Sequence, residues 1–592
     1  MKVEWTVMPN DPSNPLIIQG DRSILLDVHT PRAEEARNAL IPFAELEKSP
    51  EHLHTYRITP LSLWNAASAG FTPASIAATL ADLARFPVPP AVKTWIVETM
   101  DRFGRIRMLP SDDEAWLLLE ADSAKIYREL AASRQMAKYL MPDGPEGFRF
   151  RLAVLNRGTV KQELLRLGWP VKDEAPLRDG EPLTVKLRGV CASGGPLTIR
   201  DYQLTAARAL VGDRGPGTGF GTIVLPCGSG KTVVGMEVMS LLQTSTLILT
   251  TNVAAVHQWI NELLDKTELS ADQIGEYTGD SKVIRPVTIA TYQIVTWRPA
   301  KDGDFPHFKL FRERAWGLII YDEVHLLPAP VFRVTAELQT VRRVGLTATL
   351  VREDGREGDV FSLVGPKRYD VPWKDLEGQG WIATASCTEI RVDLPEDREI
   401  AYAVAGMRQK YRIASENPAK IPIVNSLLER HAGDSVLVIG QYITQLEEIA
   451  RAIGAPIITG KTPNVERDRI YGEFRAGGIK IIVVSKVANF AIDLPDASVA
   501  IQISGTFGSR QEEAQRLGRI LRPKEKSSHF YTVVTSRTVE EDFAANRQKF
   551  LAEQGYEYSI VRWSDSALPA PADCDQAAGN GAANGEGGAD EA

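Results

Sequence analysis

An apolar run, Thr222-Ile223-Val224-Leu225, ends in Pro226-Cys227-Gly228-Ser229-Gly230-Lys231-Thr232. Glycines let backbone N–H groups close around phosphate oxygens, and a helix starting there points its positive end at them. Lys231 is then expected to meet the β- and γ-phosphates of a nucleotide, and the Thr232 hydroxyl to bind magnesium. The full phosphate-loop pattern opens on glycine, where this chain has Leu225, so the segment alone could also be a glycine-rich turn. A second apolar run, Leu318-Ile319-Ile320-Tyr321, ends in Asp322-Glu323-Val324-His325. Carboxylates at the C-terminal end of a buried strand lie at the ligand edge of a parallel sheet. There Asp322 would hold magnesium and Glu323 would orient or deprotonate a water, with His325 completing the catalytic set. Standing alone, the tetrad would read as a helix cap with an acidic first turn. The third element is Gln515-Arg516-Leu517-Gly518-Arg519-Ile520-Leu521-Arg522. On a helix Arg519 and Arg522 share a face, and their planar forks suit a γ-phosphate. Alone that would be a solvated basic face; beside the other two it reads as part of an ATP-hydrolysing site.

These groups need rigid elements to aim them. Between about 197 and 370, short apolar strands alternate with helical stretches, the pattern of a buried parallel sheet with crossover helices. A second run of the same kind contains Ser435-Val436-Leu437-Val438-Ile439, Ile479-Lys480-Ile481-Ile482-Val483-Val484, Val499-Ala500-Ile501-Gln502-Ile503 and Phe530-Tyr531-Thr532-Val533-Val534. The expectation is an α/β chain: two tandem parallel-sheet domains, 197–370 and 420–563, joined by a connector, 371–419. Before them lies an α+β region, 1–190, with amphipathic stretches such as Pro73–Ala84 and no catalytic signature. The loop-like Cys191–Pro196 marks its end. Residues 564–592, rich in Ala, Gly, Asp and Asn, cannot build a core and are expected to be a disordered acidic tail.

A chain of 592 residues is too long for one core. Its net charge is −8, and the last 29 residues contribute six acids without a Lys or Arg, so the remaining chain stands near −2. That argues against coating nucleic acid by bulk charge, yet leaves room for local basic strips. One candidate strip, 147–170, holds Arg149, Arg151, Arg157, Lys161 and Arg166 against Glu163; it reads as a DNA-facing strip or as a solvated face. The four cysteines are scattered, which excludes a disulfide framework and disfavours zinc or iron–sulfur ligation. With no apolar run long enough to span a bilayer and no signal peptide, the chain is expected in the cytoplasm, on the nucleoid when bound to DNA.

Arg200-Asp201-Tyr202-Gln203 ahead of the loop and Thr347-Ala348-Thr349 after the tetrad complete a superfamily 2 helicase pattern. Arg200 and Gln203 join the nucleotide-binding set, Gln203 reading adenine, and Thr347 and Thr349 couple nucleotide state to the nucleic-acid track. Residues 197–563 further resemble the XPB DNA repair helicases, in a bacterial form. The resemblance is carried by Ile320–His325, Leu346–Asp354, Val364–Tyr369, Ala491–Pro495, Gly508–Arg519 and Arg547–Tyr556, and less specifically by His54–Asn65. It implies RecA-like motor domains, ATP and Mg2+ as cofactors, and 3′→5′ DNA unwinding or translocation in repair. It also implies a nucleotide role for Asp493 and a strand-separating role for Arg352-Glu353-Asp354, which are otherwise an exposed charged loop. The family carries a DNA-gripping insertion, for which Met407–Arg412 is the candidate: Arg408, Lys410 and Arg412 around Tyr411 could hold backbone and base, or form a solvated helix face. One departure is Ala488-Asn489 where the family has Gly-Asp, with Ala491 where a small hydroxyl residue is usual; this would weaken coupling. The implied partners are single-stranded, forked or duplex DNA and a nuclease or other repair protein, not a membrane. The rival readings are a duplex translocase with weak unwinding and a scaffold switched by ATP; an RNA substrate is opposed by the resemblance alone.

Overall fold

The computed structural model describes residues 11–48, 52–113, 115–144, 147–215, 217–226, 228–300, 305–326, 341–348, 357–371, 376–377, 379, 381, 383, 385–485, 497–505, 528–553 and 558–563. The first unit is an antiparallel sheet of β1 (Leu16–Ile18), β2 (Ser23–Asp27), β3 (Glu45–Lys48) and β4 (Leu53–Arg57), in the order β1-β2-β4-β3. Four helices share its core. Two of them start at Thr-Pro, where Thr59 and Thr72 accept the N–H groups of Ser62 and Ser75, and each serine reaches back to its threonine. Such reciprocal caps satisfy donors that a helix start leaves open. The second unit joins β5 (Ile106–Pro110), β6 (Trp116–Ala121), β7 (Met141–Pro142), β8 (Arg149–Ala153) and β9 (Val171–Asp173) in the order β7-β8-β6-β5-β9.

The first motor sheet contains β10 (Phe220–Val224), β11 (Thr246–Thr250), β12 (Ile274–Tyr277), β13 (Val287–Thr291), β14 (Leu318–Asp322), β15 (Arg342–Thr347) and β16 (Lys367–Asp370). All pairings are parallel, in the order β12-β13-β11-β14-β15-β10-β16. Every residue of β10, β11 and β13 is buried, as continuous apolar runs require when helices cover both faces. The second motor sheet is built alike: β17 (Ala385–Val392), β18 (Val436–Ile439), β19 (Ile457–Ile458), β20 (Ile481–Val484), β21 (Val499–Gln502), β22 (Ser528–Thr535) and β23 (Tyr558–Arg562), ordered β19-β20-β18-β21-β22-β17-β23. Two tandem parallel sheets behind an α+β region are the architecture expected from the sequence.

Residues 177–199 run along the first motor rather than with the N-terminal units. Leu183 and Val185 enter its core, and bridges tie Arg178 to Val341, Pro182 to Thr244 and Leu187 to Thr267. The N-terminal units grip the β16 edge. Lys367 N–H donates to Asn65 Oδ1 (3.1 Å), and Arg368 donates to the carbonyls of Ser68, Phe220 and Gly217. Covering that edge removes an exposed template for mispairing.

Of the five cations of 147–170, Arg149, Arg151 and Arg166 stay about half exposed, as on a solvated face, while the other two are withdrawn from any surface strip. Arg157 and Lys161 are buried on Asp173, at 2.8 and 2.9 Å. Arg149 pairs with Glu120, Arg166 with Glu163, and Arg151 lies 3.8 Å from Asp143. The reason is local: the helix Arg157–Arg166 packs its cationic face toward β9, which supplies the carboxylate. Among the described residues no helix is long and apolar enough to cross a membrane.

Candidate active site

The strand order brings the two chemical segments together. β10 and β14 both flank β15, so the loop after β10 and the carboxylates after β14 share one sheet edge. Gly228 and Gly230 both hold φ +81°, a left-handed conformation that glycine adopts without steric cost, and the helix Lys231–Leu242 begins immediately after Gly230. Pro226 opens the turn, accepting the Ser229 hydroxyl at 2.6 Å. Lys231 Nζ lies 3.5 Å from the Leu225 carbonyl and 3.8 Å from Glu323 Oε1, with Thr232 next on the same first turn. Cys227 lies outside the described residues.

Asp322 is half-buried and held at both oxygens: its Oδ2 accepts the Trp259 indole N–H at 3.0 Å, and its Oδ1 accepts the Glu323 N–H at 3.1 Å. Burial pushes its carboxyl up to about 6; the Glu323 charge adds to this, while the Trp259 N–H and the Lys231 ammonium oppose it. Its backbone carbonyl accepts the Tyr292 hydroxyl at 2.8 Å. Burial first, then the charge of Asp322, raises the Tyr292 phenol well above its ordinary range, so it stays a donor. Glu323 holds φ +49°, rare for a residue with a side chain, and its Oε2 is buried without a hydrogen-bond partner among the described residues. His325 Nδ1 meets Thr347 Oγ1 at 2.7 Å, and the Thr347 carbonyl accepts the Leu225 N–H at 3.0 Å. Thr347 thus joins the carboxylate segment to the start of the phosphate loop.

Gln203 is committed to the loop itself. Its Nε2 donates to the Ser229 carbonyl at 2.9 Å and its Oε1 accepts the Arg200 N–H at 2.9 Å, while Tyr202 donates to the same Ser229 carbonyl at 2.6 Å. Arg200 stacks over Trp381, 4.7 Å from the ring centroid, and donates to its carbonyl. Trp259, Tyr292 and Tyr202 are the residues in contact with these segments that motif reading did not single out. Only Tyr202 had a signal, its place beside Gln203.

These residues fit a magnesium nucleotide on structural grounds: a glycine-lined helix start, a lysine above it, and a half-buried carboxylate beside a buried carboxylate oxygen that accepts no hydrogen bond and lies 3.5 Å from His325 Nδ1. Among the described residues no three His, Cys, Asp or Glu side chains cluster to hold a metal by themselves. Thr232 and Asp322 would hold magnesium, which would supply charge neutralisation to a bound nucleotide's phosphates.

Other expected positions fare differently. Arg408, Lys410 and Arg412 lie on the helix Met407–Ser415, with Arg408 exposed and Arg412 paired to Glu416 at 2.9 Å. Tyr411 does not interleave with them on the surface. It is fully buried, edge-on to Phe543, with its hydroxyl donating to the Gly505 carbonyl, because this helix packs on the helix Val539–Glu553. Thr349, Arg352, Glu353, Asp354, Asp493, Gln515, Arg519, Arg522, the Ala488–Ala491 departure and the acidic tail lie outside the described residues.

Residues 376–572 match the family model described as ERCC3/RAD25/XPB C-terminal helicase, and 196–352 the one described as Type III restriction enzyme, res subunit. A model described as Helicase conserved C-terminal domain matches 16–143, which here folds as parts of the two N-terminal units. The DNA 3′-5′ helicase XPB of Kineococcus radiotolerans is 52% identical over 561 residues, covering 93% of this chain and 97% of that protein. The DNA 3′-5′ helicase XPB of Mycobacterium tuberculosis is 49% identical over 94% of this chain and 98% of its own. The general transcription and DNA repair factor IIH helicase/translocase subunit XPB of Encephalitozoon cuniculi is 32% identical, covering 94% of this chain and 84% of that protein. A phosphate loop facing paired carboxylates across β15, in a chain matched nearly end to end by such relatives, makes this protein a member of the XPB family of DNA 3′-5′ helicases.

Proposed function

We propose that the chain hydrolyses ATP with magnesium and uses closure of its two motor domains to move 3′→5′ along DNA, or to unwind it, in DNA repair. The carrying observation is Lys231 and Glu323 facing each other at 3.8 Å above the helix start, beside half-buried Asp322. Polarity and substrate come from the names of the relatives.

The loop N–H groups and Lys231 bind the phosphates. As Lys231 turns to them it releases Glu323, whose Oε2 then takes the proton of the attacking water. Bound magnesium supplies charge neutralisation on the β- and γ-phosphates. Asp322 and Thr232 hold it, and Trp259 fixes the Asp322 carboxylate. Thr347 passes the change at His325 toward the DNA track. Arg519 and Arg522, with Gln515, are assigned to the γ-phosphate from the second motor, which makes turnover depend on domain closure. Arg408 is assigned to the DNA backbone. A nuclease or another repair protein is the proposed partner class.

The test measures ATP turnover with no nucleic acid, single-stranded DNA, duplex DNA, forked DNA and RNA, with Lys231→Ala as control. DNA should raise a rate that the variant abolishes. Turnover indifferent to every nucleic acid would defeat the motor reading and favour an ATP-switched scaffold. Stimulation by duplex without strand displacement would identify a translocase.

A further inference from the structure

The segment after β13 carries an aromatic surface that ATP chemistry does not use. Trp297 is 51% exposed, the one tryptophan among the described residues left so open to water. His307 lies 5.8 Å from it, edge-on, and is itself tied to the Tyr277 hydroxyl at 2.9 Å. Phe305 and Phe308 stack beside it at 4.5 Å, and Arg298 sits 5.2 Å over the Phe305 ring. Lys282, Arg285 and Lys309 are exposed on neighbouring turns. Aromatic faces interleaved with cations are what an unpaired nucleic-acid strand requires: a plane for the base and charge for the phosphate.

The position of Trp297 is fixed from the ATP site. Thr291 caps the short helix Tyr292–Val295 by accepting the Ile294 N–H, Thr296 Oγ1 donates to the Tyr292 carbonyl at 2.7 Å, and the Trp297 N–H donates to the Ile294 carbonyl at 3.2 Å. Tyr292, one turn before Trp297, is the residue whose hydroxyl holds the Asp322 carbonyl. Gln293 of the same helix donates to the Thr251 carbonyl after β11.

We propose that Trp297 is a stacking platform for a base of single-stranded DNA, and that the Tyr292–Asp322 hydrogen bond links the platform to the nucleotide site. This rests on the reading that the chain acts on DNA. Trp297 touches the DNA; Tyr292 is a positioning residue.

The test uses the full chain with fluorescent oligo(dT) and an abasic strand of equal length, which keeps the phosphates and lacks the bases. Trp297→Ala should weaken oligo(dT) binding about fivefold to 150-fold, the span of base–aromatic stacking, and leave abasic binding unchanged. Trp297→Phe should retain most of the binding, and all proteins should melt like wild type. A strand carrying 5-iododeoxyuridine should crosslink to the Trp297 peptide on irradiation. Tyr292→Phe should shrink the difference in oligo(dT) affinity between ADP and a non-hydrolysable ATP analogue. Equal losses on both strands, or no loss on either, would overturn the stacking role. Crosslinking elsewhere with an unchanged Trp297→Ala would leave the patch to a protein partner and also overturn it. If wild type binds neither strand and DNA fails to raise its ATP turnover, the DNA reading itself has failed.

Discussion

Gly230 answers to two constraints at once. Its φ of +81° is left-handed, and a Cβ there would stand 2.5 Å from Gln203 Nε2. Gln203 cannot swing away without releasing the Ser229 carbonyl, so the clash would be relieved by moving the loop. A left-handed residue with a side chain costs about 1–2 kcal/mol, and a misplacement near 1 Å can cost about 100-fold in rate. Gly230→Ala should therefore fold with slightly reduced stability and lose ATP turnover by about two orders of magnitude; turnover within a few-fold of wild type would refute the constraint. Trp259 gives a separable effect. A hydrogen bond to a charged group contributes about 1.5–3 kcal/mol, so Trp259→Phe should raise the magnesium concentration for half-maximal turnover by about tenfold or more. A lower melting temperature with an unchanged magnesium requirement would make Trp259 a packing residue only. At this scale the sequence revealed what is contiguous: the loop and the carboxylate tetrad each announce themselves within a few residues. Trp259 and Tyr292 lie 63 and 30 residues from Asp322 and reach it only through strand order, so spacing could not show them.

The join between β9, the helix Arg157–Arg166 and β15 buries three cations, Arg157, Lys161 and Arg343, with one carboxylate, Asp173. Burial works to raise the Asp173 carboxyl, but Arg157 and Lys161 outweigh it and hold it well below the carboxylate range. Burial brings Lys161 down to about 7, against the pull of Asp173, and fully buried Arg343 and Arg157 push it the same way. Asp173→Asn would leave these cations without their carboxylate, a loss of about 3–5 kcal/mol. Lys161 can shed its proton above pH 7, so the defect in thermal or urea unfolding should be larger at pH 6 than at pH 9; a pH-independent defect would exclude Lys161 as the cause. His54 on β4 offers a second titration. Burial first, then Arg37, lowers its imidazole to about 4. Below its ordinary pKa of 6.5 the unfolded chain takes up a proton that the folded chain refuses until about pH 4. Stability should therefore fall as pH drops through that window and be unaffected by this group above it. His54→Gln should flatten that part of a melting-temperature profile, and an equally steep profile would assign the decline elsewhere. Composition could not show any of this. A run of cations looks the same whether it faces DNA, solvent or one buried aspartate, and Tyr411 looked available only because the helix against which it packs begins at Val539, far along the chain.

Across the whole molecule, the two motor sheets were legible because fully buried parallel strands must be apolar throughout. The seating of the N-terminal units was not, since Asn65 accepts the Lys367 N–H and Arg368 donates to the Ser68 carbonyl, 302 and 300 residues apart, through backbone groups that any sequence could supply. Net charge belongs to this scale as well. The chain carries −8, six of those charges lying within residues 564–592. DNA presents a negative charge about every 1.7 Å of duplex, so a six-charge acidic segment repels it through the shared field even without contact. That repulsion reaches about 30 Å at 0.01 M salt and about 3 Å at 1 M. Removing 564–592 should therefore tighten binding to a short DNA duplex most at low salt, chiefly through a faster association rate, with the two proteins converging as salt rises. DNA-free ATP turnover should not change, because every residue proposed for nucleotide turnover, from Arg200 to Thr347 and from Gln515 to Arg522, lies outside the removed segment. An affinity gain of the same size at every salt concentration would mean that the segment occupies the DNA surface directly, whereas no gain at any salt would show that its charge is too far from the bound duplex to be felt.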